Sequence, residues 1–127
     1  MRPSSSPSDG ERIRREVLGD EHVDRASDVP AFAAPFQEFV TECAWGEVWA
    51  RPGLDRRTRS ALTLALLAAL RAHDELALHV RAAVRNGLTP DEIGEVLLHT
   101  AVYAGVPAAN AAFQLAQRVL DELDAGG

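Results

Sequence analysis

The sequence contains no lysine, and all 13 of its basic residues are arginine. The lysine amine forms Schiff bases with substrate carbonyls and with pyridoxal phosphate, and it is the attachment point for biotin and lipoyl groups. These forms of catalysis are therefore excluded for these 127 residues. Chemistry on a carbonyl compound would have to proceed without an imine.

Three further features narrow the class of protein. Cys43 is the single cysteine, so neither an internal disulfide nor a CxxC redox pair can form. The longest apolar run, residues 61–70, is too short to span a bilayer, and the first residues lack the apolar region of a secretion signal. A net charge of −6 disfavours nucleic-acid binding. We expect a cytoplasmic protein with neither a membrane nor a nucleic-acid partner.

The spacing of apolar residues predicts an all-α protein, because it follows the helical period and alternates nowhere. The length fits a single domain. Residues 1–9, rich in serine and proline, are expected to form a disordered tail, and residues 10–127 to form the domain. About six helices with short connections are predicted, and they cover residues 11–19, 35–50, 56–71, 74–86, 90–105 and 107–120.

Two details of these helices are predicted as well. The segment 61–70 is apolar almost all round, so its helix is expected to be central and the most buried. The dipeptide NG at 86–87 predicts a helix end. The tetrapeptide TPDE at 89–92 has the pattern of a capping box with proline at the first helical position.

His79 is the first candidate for chemistry. It lies at one edge of the apolar stripe of its predicted helix, and Glu75 lies one turn earlier on the same edge. A Glu–His pair at this spacing can hydrogen-bond, which orients the imidazole ring as a general acid or base requires. The alternative is a histidine at the boundary of the core with a surface partner.

His99 and Tyr103 form a second pair at the same spacing on the next helix. Both side chains can donate a hydrogen bond to developing negative charge. The alternative is a tyrosine at the core boundary and a histidine at the surface. No HxxxH or HExxH pattern and no evident trio of ligands is present, so no metal site is expected.

The segment WGEVWARPGLDRRTRS, residues 45–60, is locally basic in an acidic protein. Arginines in the first turn of a helix oppose the helix dipole, but a bound anion at the same place would compensate them. A small carboxylate ligand or a subunit contact would explain the cluster, whereas the alternative is a solvated basic turn with tryptophans in the core. The candidate residues are Trp45, Glu47, Trp49, Arg51, Arg56, Arg57 and Arg59.

Two stretches, FVTECAWGEVWARPGLDRRTRSALTLALLAAL and ELALHVRAAVRNGLTPDEIGEVLLHTAVYAGVPAANAAF, are separated by only a short spacing. Together they resemble the carboxymuconolactone decarboxylase family, which also includes alkylhydroperoxidase-like proteins. The resemblance covers roughly residues 11–123, and it implies an all-α, alkylhydroperoxidase-like fold, a ring-shaped homo-oligomer, expected to be a hexamer, and no cofactor.

The peroxidase relatives use a CxxCxxxH motif with a glutamate on the preceding helix. Aligned on His79, Ala72 and Glu75 stand where the two cysteines would be, and Ser60 stands near the place of the glutamate. A thiol peroxidase is therefore excluded. The resemblance instead implies cofactor-free decarboxylation of 4-carboxymuconolactone, a dicarboxylate lactone, to 3-oxoadipate enol-lactone in protocatechuate catabolism.

The resemblance also implies roles for the candidate residues. His79 would donate the proton or stabilise the oxyanion, Glu75 would orient it, and Glu47 is a second candidate acid. The four arginines would bind the retained carboxylate, the two tryptophans would form an apolar wall, and His99 and Tyr103 would support the site. Two alternatives stay open: a relative acting on another lactone acid, and a noncatalytic oligomeric binding protein on the same fold.

Overall fold

The computed structural model describes residues 7–126, in which every regular element is helical. The all-α prediction is therefore confirmed. The chain divides into two compact units, unit 1 (Met1–Asp55) and unit 2 (Arg56–Gly127). Of the predicted tail, residues 1–6 lie outside the described residues, and residues 7–9 belong to the first helix. The single domain over residues 10–127 stays a prediction.

Unit 1 combines short helices of three kinds. Its core is small: Ile13, Val17 and Trp45 are buried, with a few partly buried apolar side chains around them. Tight backbone approach replaces side-chain packing at Gly10, where a Cβ would lie 2.2 Å from the carbonyl oxygen of Thr41. The elements are α1 (Pro7–Leu18), α2 (Asp20–Arg25), a 3-10 turn (Ala31–Ala33), α3 (Ala34–Val40) and a π-helix (Thr41–Trp49).

The helix α2 was not expected, because its residues have the composition of a polar connection. One apolar side chain, Val23, is buried and gives the segment an inner face. Arg15 of α1 forms ion pairs with Asp20 at 3.1 Å and Asp24 at 2.9 Å, which hold α2 beside α1. These contacts join two helices, and the local composition does not reveal them. The expectation of a polar connection is therefore wrong for this segment.

Unit 2 consists of four regular helices, which are α4 (Arg56–Leu70), α5 (His73–Arg85), α6 (Pro90–Ala104) and α7 (Val106–Gly126). All four contribute to one continuous core. The predicted capping box is confirmed, since the Glu92 N–H donates to Thr89 Oγ1 at 3.1 Å and Glu92 Oε1 accepts from the Thr89 N–H at 2.9 Å. Gly87, at φ +104°, reverses the chain after α5. The core residues are Leu64, Ala68, Leu76, Val80, Ala83, Leu88, Ile93, Leu97, Ala112, Leu115, Ala116 and Val119.

The expectation that the helix of 61–70 is the most buried is wrong. In α4 only Ser60, Leu64 and Ala68 are buried. Each helix of a four-helix unit turns one side outward, and α4 turns a leucine stripe outward: Leu62 is 49%, Leu66 62% and Leu70 76% exposed. Because α4 is apolar almost all round, it has two apolar faces. One face packs in the core of unit 2, and the other, which carries the leucine stripe, is exposed.

None of the helices within residues 7–126 combines the length and the apolar character needed to cross a bilayer.

Candidate active site

The sequence-predicted residues fall into both units. In unit 1, Trp45 and Trp49 lie one turn apart in the π-helix with ring centroids 5.3 Å apart and planes inclined by 31°. Trp45 is buried against Ile13 and Val17, while Trp49 is half-buried. Trp45 thus lies in the core, as the alternative of a solvated basic turn with core tryptophans predicts, whereas Trp49 is partly exposed.

Glu47 lies between the two tryptophans in the same π-helix and is half-buried. A π-helix adds one residue per turn to the α-helical hydrogen-bonding register, and such segments are frequent at functional sites. Arg51 follows the π-helix directly; its backbone N–H donates to the Val48 carbonyl at 3.1 Å and its side chain is exposed. Unit 1 therefore places an acid, an aromatic surface and a cation within one short segment.

In unit 2, the remaining three candidate arginines lie in the first turn of α4. Arg56 and Arg59 are half-buried, whereas Arg57 is exposed. The Nε atom of Arg59 is shielded from solvent. Arg51, Arg56 and Arg59 each interact with other groups of the protein, so none of them is an isolated surface cation.

Arg57 binds the protein itself. Its Nε donates to the carbonyl oxygen of Gly87 at 3.3 Å, and its Nη2 donates to Glu92 Oε2. The pKa of the Glu92 carboxyl is lowered, first by the hydrogen bond from the Thr89 backbone and then by Arg57. Glu92 is therefore ionised at neutral pH, and Arg57 is part of an ion pair.

His79 is half-buried in the middle of α5, and its Nδ1 atom is shielded from solvent. His79 also interacts with another group of the protein. Glu75 is exposed, and among residues 7–126 it forms no hydrogen bond or ion pair with His79. The structure therefore places His79 at the edge of the core, as its stripe predicts, but does not bring Glu75 to it.

His99 and Tyr103 do contact each other. Their ring centroids are 5.1 Å apart and the planes are inclined by 38°. Both residues are exposed, Tyr103 to 81%, on the side of α6 that also exposes Leu98 and Val102. The pair thus belongs to an outward-facing, largely apolar surface of unit 2.

One polar contact in unit 2 was missed from the sequence. Asn86 Nδ2 donates to Ser60 Oγ at 3.1 Å, and Ser60 is only 1% exposed. A serine inside the buried stripe of a helix is a signal that a partner must exist, because a buried hydroxyl without one is costly. The sequence does not reveal that the partner is 26 residues away.

A groove of about 510 Å³ in unit 2 is lined by residues of α5, α6 and α7. Its lining includes Asp91, Asp121 and Asp124 and contains none of the predicted site residues. Three carboxylates repel a dianionic ligand. This groove is therefore a poor site for such a substrate.

Residues 34–118 match the sequence profile of the Carboxymuconolactone decarboxylase family. The chain is 50% identical to 4-carboxymuconolactone decarboxylase from Acinetobacter baylyi over 115 residues. The matched region covers 90% of this chain and 86% of that protein. It is 46% identical over 116 residues to nitrosuccinic acid decarboxylase from Metarhizium robertsii, covering 91% and 81%. An uncharacterized 15.0 kDa protein of Paracoccus denitrificans is 34% identical over 87 residues, covering 67% and 65%.

Proposed function

The chain belongs to the carboxymuconolactone decarboxylase family, and from that membership we propose that it decarboxylates 4-carboxymuconolactone to 3-oxoadipate enol-lactone without a cofactor. The reaction is a step of protocatechuate catabolism in the β-ketoadipate pathway, and we propose a cytoplasmic location for it. The observation that carries the proposal is the 50% identity, over 90% of this chain, to a relative named for this activity.

The chemistry suits a protein that has no lysine. When the substrate loses CO2, the electron pair of the breaking carbon–carbon bond moves through the ring double bond onto the lactone carbonyl oxygen. The substrate is thus its own electron acceptor, and a furanolate-like anion results. The protein must hold a dianion, stabilise the oxyanion and deliver one proton to a ring carbon.

Unit 2 contributes His79 to this scheme. We assign it the delivery of the proton or the stabilisation of the oxyanion, since its Nδ1 atom is shielded from water and the residue lies half-buried at the edge of the core. Glu75 is exposed in the structure, so we propose that it could orient the imidazole ring of His79 only after the Glu75 side chain changes its rotamer. His99 and Tyr103 remain supporting candidates.

Unit 1 contributes Glu47 as the second candidate acid and Arg51 as a candidate carboxylate ligand. Trp49, and Trp45 behind it, would form the apolar wall that disfavours the charged leaving carboxylate. In unit 2, Arg56 and Arg59 are candidate carboxylate ligands, and Arg57 is the third arginine in the same turn of α4. Arginine suits this task because its planar fork grips carboxylates through two hydrogen bonds.

A second candidate substrate is nitrosuccinic acid, favoured by the 46% identity to a decarboxylase of that name. Nitrosuccinic acid is also a dicarboxylic acid, and its nitro group can accept the electron pair that the departing CO2 leaves behind. The two substrates make the same demands on the protein, namely anion binding and proton delivery. The family scaffold can therefore serve both without a cofactor.

We also propose that the chain assembles into a homo-oligomer, a hexamer. The outward leucine stripe of α4 (Leu62, Leu66 and Leu70) supports this, as do the exposed Leu98 and Val102 of α6. Exposed apolar stripes of this kind mark association surfaces. Light scattering at micromolar concentration tests the proposal, and a 13.7 kDa species would contradict it.

The proposed activity is tested by incubating the purified protein with a panel of acids and following each by proton NMR. The panel consists of 4-carboxymuconolactone, isomeric lactone acids and nitrosuccinic acid. We expect the highest kcat/KM for 4-carboxymuconolactone. A preference for another acid would assign a different decarboxylation, and absence of turnover with every acid would favour a noncatalytic binding protein.

A further inference from the structure

We propose that Arg57 is a positioning residue that fixes the first turn of α4 to the α5–α6 turn, and that it aligns Arg56 and Arg59 rather than binding the substrate itself. The inference rests on the proposed function and divides the arginine cluster into two roles. It follows from where the donors of Arg57 are bound.

Both donors on one edge of the Arg57 guanidinium are occupied. Nε donates to the Gly87 carbonyl at 3.3 Å, and Nη2 donates to Glu92 Oε2. This is the edge through which an arginine makes a side-on bidentate contact with a carboxylate. Binding a substrate carboxylate there would require breaking an ion pair within the protein.

The acceptor of this ion pair is itself held in place. Glu92 Oε1 accepts from the Thr89 N–H at 2.9 Å, so each of the two carboxylate oxygens has its own partner. The Glu92 N–H in turn donates to Thr89 Oγ1. The charge of Arg57 is therefore compensated by an ionised, oriented carboxylate, and it adds little to the attraction of a dianion.

A second bond ties the same two parts of unit 2 together. Asn86 Nδ2 donates to the buried Ser60 Oγ at 3.1 Å, three residues further along α4 than Arg57. The turn can present both Asn86 and the Gly87 carbonyl because Gly87 adopts φ +104°, a conformation that other residues rarely adopt. Two adjacent turns of α4 are thus attached to one chain reversal.

The helical period separates the three arginines. At roughly 100° per residue, Arg56 and Arg59 are about 60° apart, whereas Arg57 is about 160° from Arg59. The contacts of Arg57 therefore fix the rotation of α4 about its axis. That rotation decides where the side of the helix with Arg56 and Arg59 is directed.

Steady-state kinetics with 4-carboxymuconolactone tests the assignment through Arg57→Gln, Glu92→Gln and the double variant. Glutamine at position 92 keeps the capping box, because the motif accepts Glu or Gln at this position. We expect both single variants to raise KM about 10-fold with kcat within about 2-fold, and the double variant to be no worse than either. A substrate-binding Arg57 predicts a different pattern: Arg57→Gln raises KM, while Glu92→Gln, which removes a negative charge, leaves KM unchanged or lowers it. That pattern would overturn the proposal.

A matched control exists in the same unit. Arg81 of α5 pairs with Glu122 of α7, and both side chains are about as exposed as Arg57 and Glu92. Arg81→Gln and Glu122→Gln should leave KM unchanged, since this pair joins α5 to α7 and includes no residue of α4. If KM rises equally in these controls, the rise in the Arg57 and Glu92 variants reflects the loss of any surface ion pair, and the proposal is overturned.

Amide hydrogen exchange keeps the inference separate from the proposed function. If the wild-type protein turns over none of the acids, the proposed function fails, and exchange at residues 56–60 and 86–92 then decides the inference. Faster exchange at both segments in Arg57→Gln and Glu92→Gln supports the role of Arg57, and unchanged exchange overturns it. Glu92→Gln alone carries the test if Arg57→Gln does not fold.

Discussion

Unit 1 and unit 2 are both helical, but they hold their candidate site residues in different ways. Unit 1 presents Trp49, Glu47 and Arg51 on or beside a nine-residue π-helix, and among the described residues its core cluster has three buried side chains. Unit 2 presents His79 and its arginines on regular helices with twelve buried side chains behind them. Among residues 7–126 the core cluster of unit 1 has fewer buried side chains than that of unit 2, so we expect substitutions in unit 1 to disturb geometry more readily. Substitutions on the surface of unit 2 should report on chemistry.

His79→Ala is expected to have the largest effect. Loss of a group that delivers a proton or stabilises an oxyanion lowers kcat by roughly 10²–10⁴, whereas KM changes little because the substrate carries its charge on the carboxylates. His73→Ala, an exposed histidine at the start of the same helix, is the matched control and should behave as wild type. Near-normal kcat in His79→Ala would return this residue to a packing role and make Glu47 of unit 1 the leading acid.

The arginines of the two units give the next largest effect. Arg51→Gln in unit 1 and Arg56→Gln in unit 2 should each raise KM by about 10- to 150-fold, the equivalent of losing one charge-assisted hydrogen bond. Arg118→Gln, an exposed arginine of α7, is the control for loss of charge alone. An effect in only one of the two units would assign the carboxylate site to that unit.

Replacing one glycine by alanine in each unit compares the packing of the two units. Gly10→Ala should destabilise the protein by about 1–3 kcal/mol, because the new Cβ would lie 2.2 Å from the Thr41 carbonyl oxygen and α1 must move. Gly94→Ala, inside α6 with nothing within 4 Å of the Cβ, should stabilise by about 0.5–1 kcal/mol. Urea unfolding measures both, and equal effects would mean that the close approach in unit 1 is not maintained.

The smallest expected effect is a pH dependence located in unit 2. The pKa of Glu92 is lowered in the folded protein, so the stability it contributes is present above the unfolded pKa and is lost as the pH falls through the folded pKa. Glu92→Gln should therefore flatten the acidic limb of the stability curve below about pH 5. An unchanged slope would show that the hydrogen bonds of Glu92 do not persist in solution.

Local patterns predicted the chain reversal between α5 and α6 well, whereas α7 continues to Gly126, beyond its predicted end at residue 120. The capping box at Thr89 and the chain reversal at Gly87 depend on residues within four positions of each other, and both were confirmed. The contact between His99 and Tyr103 also follows from helical spacing. Glu75 and His79 have the same spacing without a bond, since Glu75 lies in the first turn of α5, where an exposed carboxylate is stabilised by the helix dipole and by water.

Long-range contacts account for what the sequence did not reveal. The partner of Arg57 is 35 residues away, and helical spacing gives no information about it. The π-helix of unit 1 has no local sequence signature that distinguishes it from an α-helix. The α4 leucine stripe is exposed because no other helix packs on it in the described residues. The apolar sequence of α4 predicts that the stripe is buried, but it does not show which helix or subunit covers it.

The central claim, decarboxylation by the side chains alone, is tested most directly by turnover after metal removal. The purified protein is dialysed against EDTA, its metal content is checked by mass spectrometry, and the loss of 4-carboxymuconolactone is followed with and without added divalent cations. We predict that kcat is unchanged by dialysis and by each added cation. Activity that disappears on dialysis and returns with one metal would contradict the cofactor-free mechanism.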